Sequence, residues 1–140
     1  MSIAENAALH WQFTGSEGRI TGSEDRIRQV LQLAPSQALP MVDEQSLQQY
    51  YRKLAPRLVL PFKAEYSEST GPERQIVVTR LIDPGCEADL DAGLMCEAWQ
   101  GAQPLTIALA DVCVAPRHPN HPDVEDYWYW FWNWRPWLVR

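Results

Sequence analysis

The sequence lacks any run of about 20 consecutive apolar residues, the length a membrane-spanning helix requires, so no membrane segment is expected. Its first residues, MSIAENAALHWQF, carry neither a basic stretch nor a long apolar run, and no secretory leader is expected from them. Cysteine is scarce. Cys86, Cys96 and Cys113 are an odd number in a chain of 140 residues, long enough to bury a core without a disulfide framework. Free thiols in a reducing compartment follow, and a cytoplasmic location is the expectation. Positive charge is also short: 12 Lys and Arg face 18 Asp and Glu, giving a formal net charge of −6. The basic residues are scattered singly, whereas phosphate binding needs them clustered, so nucleic acid is excluded as a partner. Cations and basic surfaces are what such a field favours.

Catalytic signatures are missing as well. The chain has no Gly-x-Ser-x-Gly elbow, no glycine-rich phosphate loop and no His-Glu-x-x-His. His118 and His121 lie three apart in RHPNHPD, but the cysteines are ten and seventeen apart, too far for a paired zinc site. Cys96 falls inside a predicted strand, where a thiol is generally inert. A non-enzymatic protein is the expectation.

What the chain does contain is ordinary globular texture, 46% hydrophobic and 21% charged. One domain is expected over 1–140, with a helical part at 1–56, a β part at 57–115 and an aromatic element at 120–137. TGSEGR and TGSEDR, seven residues apart, are a local duplication and too few copies for a repeat architecture. Thr21 with Glu24 forms a capping-box pattern ahead of Ile27, Val30 and Leu31 at helical spacing, and Pro35 stops that helix. Asp43 caps a second helix whose apolar face is Leu47, Tyr50, Tyr51 and Leu54, ended by Pro56. RLVLPFKAEY reads as an edge or bulged strand because Pro61 lies in it. RQIVVTRLI reads as a second strand. LMCEAW and LTIALADV flank a hairpin loop with Gly101.

The segment DYWYWFWNWRPW, 126–137, packs five tryptophans and three other aromatics into twelve positions. A strand would align Trp128, Trp130, Trp132 and Trp134 on one face. The flanks favour a helix: Asn120 or His121 as cap, Pro122 in the first turn, acids at the start, Arg135 near the end and Pro136 as stop. Large apolar runs are usually inside, so the element is expected to be mainly core. What remains exposed, among Trp128, Trp130, Trp132 and Trp134, is expected to form a homodimer or partner interface. A membrane-surface role is disfavoured, because the element opens with acids instead of Lys and Arg.

DPGCEADLDAG, 83–93, places Asp83, Glu87, Asp89 and Asp91 within nine residues. Hard cations such as calcium take several oxygen ligands from a flexible loop, and these four carboxylates are the candidate ligands. Asp123, Glu125 or Asp126 would assist. The spacing is not that of an EF-hand, since the glycine comes late and the twelfth position counted from Glu87 is Ala98.

The order and texture of YYRKLAPRLVLPFKAEY, VVTRLID and EAWQGAQPLTIALADVCV resemble a family of small bacterial calcium-binding proteins. Leu60, Pro61, Phe62 and Ala64 carry the resemblance, with Pro104 and Leu105 in the later hairpin, over about residues 45–114. It implies an SH3-like fold and acid-mediated calcium binding without catalysis. With the helices and strands read above, the expected fold is α+β, a small SH3-like antiparallel β-barrel preceded by two helices and followed by an aromatic-rich C-terminal helix. The aromatic C-terminal helix and the first forty residues lie outside the resemblance. The family's acids form no tight motif to carry across, so the ligand set Asp83, Glu87, Asp89 and Asp91 rests on this sequence alone. The expected function is calcium binding through acidic barrel loops, the alternative an interaction or homodimerisation module with no ion role.

Overall fold

A computed structural model of the chain describes residues 22–67, 72–85 and 89–136. Among the described residues, three α-helices and five β-strands make an α+β fold with an antiparallel sheet. Helix α1 spans Gly22–Leu31 and buries Ile27 and Val30; Thr21, its expected cap, lies outside the described residues. Pro35 does not end it. Gln32 does, turning into the left-handed region at φ 62°, while the Leu33 N–H closes back on the Arg28 carbonyl at 2.8 Å.

Helix α2, Glu44–Leu54, starts where Asp43 predicts. The Asp43 carboxylate accepts from the Ser46 N–H at 2.7 Å, and the Ser46 hydroxyl answers the Asp43 N–H at 2.9 Å, a reciprocal cap. A 3-10 turn over Ala55–Arg57 carries Pro56 and leads to a cis Leu60–Pro61 bond, so Pro61 precedes the first strand and does not interrupt it.

The strands are β1 (Phe62–Tyr66), β2 (Arg74–Ile82), β3 (Met95–Gln100), β4 (Gln103–Ala108) and the two-residue β5 (Val112–Cys113), in sheet order β4-β3-β2-β1-β5. The β3–β4 hairpin is tighter than the sequence suggests: Gln100 pairs with Gln103, and Gly101 takes φ 60° at the first turn position. LTIALADV is not one strand. It breaks at Leu109 into a 3-10 turn, Leu109–Asp111, whose Leu109 and Ala110 are buried, before β5 pairs with Glu65 and Tyr66.

The sheet stays open, where a closed barrel was expected. Closure would require β4 to pair with β5, but β5 offers two residues and β4 carries Pro104, which has no N–H to donate. One face of the sheet is apolar and buried (Phe62, Ala64, Ile76, Val78, Leu81, Cys96, Ala98, Ile107) and joins α2 and α3 in a single hydrophobic cluster. A register shift between Val78 and Arg80 bends β2 in its middle.

The aromatic segment is a helix, α3, His121–Asn133. Its acidic, proline-bearing start outweighs the strand propensity of Tyr, Trp and Phe. Val124, Tyr127, Trp130 and Phe131 are buried, so the element is mainly core, as expected. Among the described residues no helix is long and apolar enough to cross a membrane.

Candidate functional site

The acidic segment forms the connection between β2 and β3. Asp83, just past β2, folds back on itself, its Oδ1 accepting from the Gly85 N–H at 2.8 Å. Asp89 does the same further on, with Oδ1 accepting from the Asp91 N–H at 2.9 Å and the Ala92 N–H at 3.3 Å. Its carbonyl accepts from the Gly93 N–H at 2.7 Å. Asp83, Asp89 and Asp91 are all exposed, and each of the two turns uses one carboxylate oxygen. Glu87 lies outside the described residues.

The aromatic helix holds the end of this loop. The Tyr127 hydroxyl accepts from the Leu94 N–H at 2.8 Å, and burial pushes that phenol well above its ordinary pKa. Gly93, at φ 74°, passes so close to α3 that a β-carbon there would stand 2.7 Å from Phe131 Cε1 and against the Tyr127 hydroxyl. Just beyond α3, the Arg135 guanidinium lies 4.6 Å from the Phe131 ring centroid and 4.7 Å from that of Trp132. From there its Nη2 donates to the Asp91 carbonyl at 3.5 Å and stands 3.9 Å from the Asp91 carboxylate. The aromatic run thus has a second task besides filling the core: one side of it anchors the acidic loop.

The three α3 acids expected to assist are engaged elsewhere. Asp123 accepts from Arg57 Nε at 3.1 Å, and Glu125 lies 3.9 Å from His121. Asp126 is buried and holds Arg26 through both oxygens, each at 2.8 Å. Among the described residues no group of three or more His, Cys, Asp and Glu side chains converges as a ready metal cage.

The tryptophans part company. Trp130 is fully buried, with its indole N–H donating to the Pro40 carbonyl at 2.9 Å. Trp128 is partly buried, and Trp134 lies partly buried beside Tyr129 at 5.7 Å between ring centroids. Trp132 is 40% exposed. A more exposed indole, not singled out in the sequence, is Trp99 at 44%, opposite Val77 on β2 and Pro104 on β4. The period-2 alternation Cys96, Ala98 in and Glu97, Trp99 out was its available signal.

Cys96 is buried and its thiol is pushed up to about 12, so it stays protonated. Cys113 is exposed on β5, with partial burial and the nearby Glu125 raising its pKa. Cys86 lies outside the described residues. His118 Nδ1 accepts from the Asn120 N–H at 2.9 Å, and its ring packs beside Phe62.

Comparison of the chain with protein-family models, with curated proteins and with solved structures returns no match.

Proposed function

We propose that this chain is a non-enzymatic domain that binds calcium through the β2–β3 connection, with Asp83, Asp89 and Asp91 as ligands and Glu87 as the fourth carboxylate. The observation that carries this reading is the shape of the loop. Two turns capped by Asp83 and Asp89 use one oxygen each, and Asp91 is 94% exposed at the side chain. A hard cation takes oxygen ligands from a loop of this kind, completing its shell with carbonyls and water. The net charge of −6 works in the same direction. Arg135, beside Asp91, opposes it, so a weak affinity belongs to the proposal.

The order β4-β3-β2-β1-β5, with the last strand returning to the first through one 3-10 turn, supports an SH3-like reading of the sheet although it stays open. The resemblance over 45–114 supports the same reading. The test is a calcium titration of the wild type and of the Asp89→Asn, Asp91→Asn double variant. The proposal expects saturable binding that the double variant loses while its apo stability is kept; equal responses in both proteins overturn the assignment.

A second reading, a partner or homodimer surface with no ion role, is favoured by one observation. Trp99 stands in a row with Val77 and Pro104 on the sheet face opposite the core. Tryptophan is enriched among the few residues that carry most of the binding energy at interfaces. On this reading Trp99→Ala lowers self-association in sedimentation velocity more than Trp132→Ala does. Two monomeric, superimposable profiles would remove its homodimer form.

A further inference from the structure

Among the described residues, helix α1 contributes fewer buried side chains to the core than α2 or α3 does. It contributes Ile27 and Val30 to the core, where α2 contributes Leu47, Tyr50 and Leu54, and α3 contributes Val124, Tyr127, Trp130 and Phe131. It packs chiefly on α2 and α3. Much of the remaining attachment is polar. Arg26 donates to both oxygens of Asp126 at 2.8 Å, and the Tyr129 hydroxyl donates to Glu24 Oε2 at 2.9 Å.

The Arg26–Asp126 pair is lopsided: the carboxylate side chain is 2% exposed and the guanidinium side chain 50%. Removing a carboxylate from water opposes the attraction gained by pairing it, so the net hold is small. The Tyr50 hydroxyl, on α2, is buried and without a hydrogen-bond partner among the described residues. It is within electrostatic reach of both Arg26 and Asp126. A buried hydroxyl lacking a partner disfavours the closed arrangement relative to one that admits water. The connection to α2 begins at Gln32, a left-handed residue that is not glycine, and runs past Pro35 and Pro40 to Asp43.

We propose that α1 is a latch that opens as a unit about residues 32–38, ahead of the core residues Leu39 and Val42, while α2, α3 and the sheet remain folded. Opening uncovers the face of α3 that carries Asp126 and Tyr129 and lets water reach the Tyr50 hydroxyl. The inference is independent of the calcium reading, since it involves no residue of the β2–β3 connection.

Hydrogen exchange on the full chain at pH 7 tests it. Local opening makes the amides of Ile27–Leu31 exchange about 100-fold faster than those of Val78 and Ala98 in the central strands. Arg26→Gln then speeds α1 by about a further tenfold and leaves the strands within about twofold. Tyr129→Phe, the milder change, acts in the same direction. If α1 and the central strands exchange at one rate in the wild type, the latch is overturned, whatever the variants do. It is equally overturned if Arg26→Gln accelerates all elements alike or leaves α1 unchanged.

Discussion

At Gly93 two constraints meet that only glycine satisfies: a left-handed backbone and no room for a β-carbon against Tyr127 and Phe131. Gly93→Ala is expected to cost about 2–4 kcal/mol in urea unfolding, from backbone strain and overpacking together. Gly101, also left-handed, has open space around it, and Gly101→Ala should cost only about 1 kcal/mol. The sequence showed Gly93 as a late glycine in an acidic segment and nothing of its packing, because Tyr127 and Phe131 are remote in the chain. The tryptophans teach a related lesson. At spacing two they look equivalent in the sequence, but successive members are turned by about 200° around a helix and face different surroundings. Trp130→Ala should therefore cost about 3–5 kcal/mol, while Trp132→Ala should stay under about 1 kcal/mol. Calorimetry on the two variants distinguishes them.

Elements whose signals are local were legible from the residues. Asp43 begins α2, a proline-bearing acidic start makes α3 a helix, and Gly101 marks the hairpin. Asp43→Ala should lower stability by about 1 kcal/mol through loss of the cap. Elements whose shape depends on distant partners were not. Asn120 looks like a cap for α3, yet its side chain bonds both the N–H and the carbonyl of Val59, at 2.8 and 2.9 Å. The acids of α3 look like one charged turn, yet Arg57 and Arg26 take Asp123 and Asp126 separately.

Asp126 carries a pH consequence. Burial raises its pKa, and the Arg26 pairing only partly offsets this, while Arg26 is itself raised by the same pairing. Attraction between the partners is real and smaller than the cost of burying the carboxylate. A carboxyl with a folded pKa above its unfolded value binds its proton more tightly when folded. Its contribution therefore turns toward the folded state as pH falls from neutral through the raised pKa, and levels off below about 3.9. Urea unfolding of wild type and Asp126→Asn should show the wild type gaining relative to the variant from pH 7 to pH 4; a difference that shrinks over that range would contradict this.

Across the whole molecule, the α+β class, the helix-then-strand order and the core staves could be read from periodicity. The openness of the sheet could not, because it depends on where β5 starts, and the buried turn at Leu109 sets that. The acidic connection is legible as a run of carboxylates. Its fastening to the aromatic helix, through Tyr127, Gly93 and Arg135, appears only when β3 and α3 are brought together. That fastening is why an ion on the loop should be felt by the whole fold. Thermal unfolding followed by tryptophan fluorescence, with calcium, with magnesium and with chelator, measures this directly. Binding to the folded state alone raises stability by about 2.7 kcal/mol at a hundredfold excess over the dissociation constant. The account predicts a calcium-selective rise in the midpoint; three superimposable curves at millimolar ion would contradict it.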